Sequence, residues 1–214
     1  MKITISKENY LKTIAEAESE GEIVIAATLV RWLNVSAPAV AMAVRRLKRD
    51  GMISIDREGR IGLTAGGREI ANRLLHRHHL IERMLTEVFG MEWYQVHEEA
   101  EQLEHAVSEE FERLLVEKLG SGGACPHGNL VGMDTSTDRR NRGWRPLFEI
   151  EKPATVVSVY ERDRQLLQYL NGLGIRPGVS LALKSRNYDD TLTLEINGNS
   201  VQLGKSAAEK VWVA

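Results

Sequence analysis

One cysteine, Cys125, stands in 214 residues. An intrachain disulfide is therefore excluded, and so is a zinc site built from several cysteines. No apolar run approaches the roughly 20 residues of a membrane span, and the N-terminus lacks the pattern of a secretory signal. The chain is expected in the cytoplasm, without a membrane partner. A large net charge is also missing, the formal value being −2 at pH 7. The charge is unevenly spread. Residues 25–73 hold nine Lys/Arg against four Asp/Glu, whereas residues 92–118 hold two against nine. A basic block followed by an acidic one points to two partners, nucleic acid for the first and a cation for the second.

The basic block has a recognisable order. Residues 6–20 read as a helix capped by Ser6, with Tyr10, Leu11, Ile14, Ala15 and Ala17 on its apolar face and Gly21 ending it. A short helix over 25–33 and a turn at Asn34-Val35 follow. Ser36 then caps a third helix, with Pro38 in its first turn, that runs to about residue 50. Two short strands, 52–56 and 60–63, are joined by Arg57-Glu58-Gly59. Helix, helix-turn-helix and β-wing is the order of a winged DNA-binding domain. The end of the third helix that enters the groove carries Ser36, Ala37, Pro38, Ala39, Ala41 and Met42. None of these makes a bidentate base contact, so base reading is expected to rest on apolar contact with thymine methyls and on DNA shape. Arg45, Arg46, Lys48 and Arg49, with Arg57 and Arg60 in the wing, suit phosphates.

Thr64 caps a long helix over 65–89, with Gly66-Gly67 near its start marking close packing or a soft beginning. His78 and Glu82, four apart, share one of its faces. After Gly90 the spacing predicts one helix over 93–118. Its apolar stripe is Val96, Ala100, Leu103, Val107, Phe111 and Leu114, and His97, Glu101, Glu104 and His105 lie along one edge within an arc of about 100°. Two imidazoles and two carboxylates bordering a buried face suit a divalent cation, while a solvated acidic face with incidental histidines is the plainer alternative. Together with His97, the His78/Glu82 pair makes a three-ligand set. A striped helix pair beside a DNA-binding domain suits a homodimer interface.

Residues 120–146 read as loop and linker, and Cys125-Pro126-His127-Gly128 within them as a structured turn rather than a metal site or a nucleophile. From residue 154 the pattern is β: strands at 154–160, 179–185, 191–196, 200–203 and 210–213, one helix at 164–170 and a hairpin turn at Asn197-Gly198. Five short strands with tight turns suggest a small closed barrel of the SH3 type.

Several motifs together resemble the diphtheria-toxin-repressor family of metal-dependent bacterial repressors, over essentially the whole chain. They are Tyr10-Leu11, Arg49-Asp50-Gly51, Leu63-Thr64-Ala65-Gly66-Gly67-Arg68, His78 to Glu82, and Val96-His97-Glu98-Glu99-Ala100 leading to Glu104-His105. Cys125-Pro126-His127-Gly128-Asn129 looks like the family's turn, and Leu173-Gly174-Ile175-Arg176-Pro177-Gly178 resembles its C-terminal SH3-like domain. The resemblance implies a mainly α N-terminal two-thirds followed by a small all-β SH3-like barrel. The divisions are a winged helix-turn-helix domain at 1–73, a helical dimerisation and metal-binding domain at 74–140, a linker at 141–153 and the SH3-like domain at 154–214.

The same resemblance implies a regulatory metal site of Glu101, Glu104 and His105 with Asn9 from the first helix. It implies an ancillary site of His78, Glu82 and His97, joined from the C-terminal domain by Asp163 or Gln165. Position 101 is Glu where iron-responsive members often carry Cys, and position 9 is Asn where the family usually has Met or an acid. Hard oxygen ligands favour Mn(II) or Fe(II), one or two ions per subunit. The expected protein is a homodimeric, metal-activated repressor of metal-homeostasis genes that binds a double-stranded operator and is not an enzyme. The competing readings are a metal-independent winged-helix regulator with a structural metal site and, more distantly, a two-metal hydrolase.

Overall fold

Thr4, not Ser6, opens the first helix. The Thr4 hydroxyl accepts from the Lys7 backbone N–H at 3.4 Å, and α1 spans Ile5–Ser19. Both residues are cap formers, and it is Thr4 that has the extended backbone an N-cap needs. The computed structural model describes residues 3–130 and 139–214. These fall into two units, residues 3–78 with 139–142, and residues 79–130 with 143–214.

In the first unit α1 is followed by α2 (Ala26–Leu33) and α3 (Ala37–Arg49). Asn34 takes a left-handed conformation (φ 51°) between them, and the chain bends by 117° there. The strands β1 (Ile53–Ile55) and β2 (Ile61–Leu63) pair antiparallel, Ile53 opposite Leu63 and Ile55 opposite Ile61. Leu11 and Ile14 of α1, Leu29 of α2 and Val40 and Leu47 of α3 are fully buried together with Ala15 and Ala17. Each such large side chain contributes about 1.5–3 kcal/mol by leaving water. The helix α4 (Ala65–Glu87) begins on this core. Thr64 caps it through the Gly67 N–H at 3.2 Å. Of the Gly66-Gly67 pair only the second is required: a Cβ on Gly67 would stand 2.0 Å from the Met52 carbonyl oxygen, whereas one on Gly66 meets open space. Arg139 also joins this unit, its N–H donating to the Ser19 carbonyl at 3.3 Å and its guanidinium meeting Glu20 at 2.8 Å.

The second unit takes α4 from His79 onward. The single helix expected over 93–118 is two helices, α5 (Val96–Leu103) and α6 (Glu109–Leu119). The Ser108 hydroxyl accepts from the Phe111 N–H at 3.2 Å, and Glu109, Glu110 and Glu112 occupy the first turn of α6, where the helix dipole favours negative charge. The apolar stripe divides with the break. Val96 and Ala100 pack with Leu80, Ile81, Leu85 and Leu115 in a core, while Leu103, Phe111 and Leu114 are exposed. Trp93, which the expected helix began with, instead sits in the core of the following β region, its indole N–H donating to Asn171 at 2.8 Å.

The expected loop over 120–146 contains an isolated bridge between Ala124 and Leu130 and ends in a strand, β3 (Arg145–Pro146); its portion at 131–138 lies outside the described residues. Beyond it come β4 (Ala154–Val159), α7 (Arg164–Gly172), β5 (Ser180–Arg186), β6 (Leu192–Ile196), β7 (Asn199–Leu203), α8 (Lys205–Ala208) and β8 (Val211–Val213). The strands form a six-stranded antiparallel sheet in the order β3-β8-β4-β5-β6-β7, around Leu167, Leu170, Leu192, Leu194 and Val211. A helical N-terminal region followed by an SH3-like β domain is the architecture the sequence implies. Among the described residues no single helix is long and apolar enough to cross a membrane.

Candidate metal centre and nucleic-acid interface

Helix α4 places His79 and Glu82 nearly one turn apart, and both are buried. His97 of α5 faces Glu82, with its Nδ1 3.3 Å from Glu82 Oε1. The turn at 125–129 brings His127 Nδ1 to 3.1 Å from the same oxygen. Glu161, between β4 and α7, approaches His127 at 3.4 Å and His97 at 4.0 Å. Ligand atoms of His79, Glu82, Cys125 and Glu161 all lie within 4.8 Å of one another. Four separate segments thus converge on one buried point.

The turn that carries Cys125 and His127 is fixed from several sides. The Cys125 N–H donates to the Asn129 carbonyl at 2.7 Å and the Gly128 N–H to the Cys125 carbonyl at 2.9 Å. The Val159 N–H donates to the His127 carbonyl at 3.0 Å, which ties the turn to β4. The Asn129 amide donates to Glu161 at 2.5 Å and so orients that carboxylate. Arg83, the neighbour of Glu82, holds the approach to the turn, donating to the carbonyls of Leu119 and Gly122 at 2.7 Å each and pairing with Glu87 at 2.7 Å.

The electrostatics are those of a site built around charge. Burial opposes charge on the His127 ring, but the Glu82 carboxylate and hydrogen bonds with Cys125, Glu161 and Glu82 raise its pKa well above the ordinary value. Burial, and then the charge of Glu82, push the Cys125 thiol up. Burial and Glu82 also act to raise the Glu161 carboxyl, yet the hydrogen bond with His127 and the charges of His97 and His79 bring it below the usual carboxylate range. His127 Nε2 is buried and has no hydrogen-bond partner among the described residues. The ligand atoms of His79, Glu82, Cys125 and Glu161, gathered in one buried place, are a donor set that fits a divalent cation, while His127 turns Nδ1 to the two carboxylates and the thiol.

The other sequence-derived ligands are distributed differently. Glu104 is buried, with its Oε1 3.6 Å from His105 Nε2. Both lie just past the end of α5 rather than along a continuous helix. Glu101 is 3.6 Å from His97 Nε2 and 3.3 Å from the Arg162 guanidinium. Asn9 is half-buried on α1. His78 is fully buried, with Lys12 Nζ 3.1 Å from its Nδ1.

Asp163 and Gln165 do not join the cluster. Asp163 is the N-cap of α7, its carboxylate accepting from the Leu166 N–H at 3.0 Å and pairing with Lys210 at 3.4 Å, and Gln165 is exposed. The residue from the C-terminal domain that reaches the cluster is Glu161. Sequence reasoning also missed Cys125 and His127 as ligand candidates; the signal available was a cysteine and a histidine two apart in a tight turn.

All ten residues expected to face DNA are exposed: Ser36, Ala37, Pro38, Ala39, Met42, Arg45, Arg46 and Arg49 on or capping α3, and Arg57 and Arg60 in the wing. The Ser36 hydroxyl accepts from the Ala39 N–H at 3.4 Å, and only Val40 and Leu47 of α3 are buried. In the wing loop the Asp56 carboxylate accepts from the Glu58 and Arg60 N–H groups at 3.0 and 2.8 Å. A cavity of about 340 Å³ between the start of α1 and the end of α3 is lined by Thr4, Ser6, Lys7, Tyr10, Arg46 and Arg49 among others.

Comparison with known proteins matches each part of the chain. The profile described as iron dependent repressor, N-terminal DNA binding domain, matches residues 2–59. The metal binding and dimerisation domain of the iron dependent repressor matches residues 64–131, and the FeoA domain matches residues 147–214. The diphtheria toxin repressor of Corynebacterium glutamicum is 33% identical over 218 residues, covering 96% of this chain and 94% of that protein. The iron-dependent repressor IdeR of Mycobacterium leprae is 38% identical over 219 residues, covering 96% and 95%. A solved manganese-dependent transcriptional repressor in complex with manganese superimposes with a TM-score of 0.88 at 30% identity, covering 97% of this chain and 99% of that one.

Proposed function

Because the chain belongs to the family of the diphtheria toxin repressor and the iron-dependent repressors, we propose that it is a homodimeric repressor of metal-homeostasis genes whose hold on operator DNA is switched by Mn(II) or Fe(II). The observation that carries this reading is the convergence of Glu82, His97, Cys125, His127 and Glu161 at one buried point. It occurs in a chain that also exposes a Ser36-capped helix and a basic wing.

The regulatory site is Glu101, Glu104 and His105 with Asn9 from α1. The ancillary site is Glu82 and His97, with Cys125, His127 and Glu161 and with His78 and His79 on the same helix as Glu82. A bound divalent ion supplies positive charge that offsets these carboxylates. Without such charge, Glu82 and Glu161 repel one another in a buried place and rely on the His127 ring between them. Glu104 is also buried, so its carboxylate too favours a nearby positive charge.

On DNA, the small side chains of Ala37, Pro38, Ala39 and Met42 allow α3 a close approach to the major groove and to thymine methyls. Arg45, Arg46, Arg49, Arg57 and Arg60 bind phosphates, and the cavity beside Lys7 and Tyr10 seats one of them. Arg46→Gln is expected to weaken binding to specific and random duplexes alike and to lower the slope of log affinity against log salt by about 0.9. Equilibrium binding at several salt concentrations measures both. The exposed Leu103, Phe111 and Leu114 supply the apolar face of the dimer.

The decisive experiment is binding of the purified protein to labelled DNA from its own upstream region, with chelator, with Mn(II), with Fe(II) under anaerobic conditions and with Zn(II), all at one salt concentration. Binding is expected only with metal; equal binding in chelator refutes the switch. His105→Ala is expected to abolish the stimulation. If stimulation survives that change, His105 is not part of the regulatory site.

A further inference from the structure

Glu161 and Arg162 are consecutive residues that serve two different groups. Glu161 turns into the buried cluster, towards His127, His97 and Asn129. Arg162 turns to α5, where its guanidinium meets the Glu101 carboxylate at 3.3 Å. Two residues on, Arg164 meets Glu98 of the same helix at 2.9 Å. His97 also touches both places, with Nδ1 towards Glu82 and Glu161 and Nε2 towards Glu101 at 3.6 Å.

We propose that Arg162 is an internal counter-cation that competes with the regulatory metal for Glu101 and so sets the metal concentration at which the repressor is activated. The inference rests on the reading of Glu101 as a ligand. A guanidinium already engages the Oε1 lone pairs that a cation would use, and its fixed positive charge repels a second one placed beside it. An arginine keeps that charge at every accessible pH, so the competition depends on metal concentration and not on protonation of the competitor. The side chains are 17% and 40% exposed, so the pair is screened and can be displaced. Its neighbour Glu161 is held in the cluster by the Asn129 amide and His127, and this anchors Arg162 beside α5. The C-terminal domain thereby contributes a ligand candidate to one site and a competitor to the other from adjacent positions.

The test is a Mn(II) titration of the full-length, chelator-stripped protein against a competing fluorescent metal indicator. The wild type is compared with Arg162→Gln, Arg162→Met, Arg162→Lys and Glu101→Gln. Both neutral variants are expected to lower the half-saturating Mn(II) of one class of site by about two- to fivefold, the range of a partly exposed ion pair, and to leave the other class unchanged. Arg162→Lys stays near the wild type. The Mn(II) needed for half-maximal DNA binding falls by the same factor, since the two equilibria are linked. General damage to the fold weakens binding, so a gain in affinity is not what a merely structural arginine would produce. If Glu101→Gln loses a site but neither neutral variant binds Mn(II) more tightly, the competition is refuted and the ligand reading stands. If Glu101→Gln titrates like the wild type, the ligand reading is refuted and the proposal with it.

Discussion

Replacing Glu82 with glutamine is expected to remove metal binding at the buried cluster while leaving the chain folded. Glu82 is the carboxylate that His97 and His127 approach more closely, at 3.3 and 3.1 Å against 4.0 and 3.4 Å for Glu161, and its side chain is fully buried. Glutamine keeps the shape and one carbonyl oxygen but not the charge, and a neutral amide is a poor substitute for a carboxylate ligand. Loss of affinity on the order of a hundredfold is expected, at the upper end of what supporting residues cost. The measurement is a thermal melt with and without Mn(II). At a hundred times the dissociation constant, metal stabilises the wild type by about 2.7 kcal/mol. For a chain of this size that raises the midpoint by roughly 5–10 °C. The variant should lose most of that rise. A rise as large as in the wild type would remove Glu82 from the ligand set. The same melts at two pH values test the charge balance. His127 has a raised pKa and must give up its proton before the ring can bind metal, so the metal-induced rise should grow as pH increases.

Gly128→Ala should be among the most damaging single changes in the chain, costing about 3 kcal/mol. Two penalties coincide there. The residue has φ +87°, which costs an L-residue roughly 1–2 kcal/mol. An added Cβ would also stand 2.0 Å from the Val157 carbonyl oxygen and 2.8 Å from the Ser158 Cα, so turn and strand must part, at a further ~1–3 kcal/mol. The damage is local to function as well, because the Val159-to-His127 hydrogen bond and the Asn129 contacts with Glu161 and Ser158 all depend on that approach. Gly174→Ala is the control. It has φ +72° with nothing within 4 Å of the added carbon, so only the conformational penalty applies. Denaturant unfolding of the two variants should separate them by more than 1 kcal/mol, well above the extrapolation error of a matched pair. Equal midpoints would show that the turn is not pressed onto β4 in solution.

The parts of this protein legible in the sequence are those specified by neighbouring residues. Ser36 with Pro38 announces α3, and Asp56 to Arg60 announces the wing, because caps and tight turns are local chemistry. The break between α5 and α6 had an equally local sign in Ser108-Glu109-Glu110. Apolar spacing that continues across residues 104–108 concealed it, since periodicity cannot tell one helix from two in similar phase. The division of the stripe, Val96 inside and Phe111 outside, depends on what packs opposite and is not encoded in spacing. Asp163 drew attention as an acid in the right neighbourhood, but an acid three residues before the Leu166 amide is a helix cap first. Cys125 and His127 acquire meaning only when a turn, a strand end and two helices fold onto Glu82. No pattern within any of those segments records that convergence.

Trp93 bears on how freely this architecture can be rearranged. Its indole is a structural part of the β domain, bonded to Asn171 and counted among the core that includes Leu147, Leu167 and Val213, although it lies at the start of the helical segment leading to α5. Sequence profiles divide the chain between residues 131 and 147, but the hydrophobic packing is not divided there. A truncated protein ending before β3 would leave an aromatic surface of about 150–250 Å² facing water. It would also lack Glu161, and with it the carboxylate shared by His97 and His127. The C-terminal domain is thus not an accessory that recombination can add or discard at no cost. A lineage that shed it would have to replace one tryptophan with a polar residue and recruit a new acid at the same time.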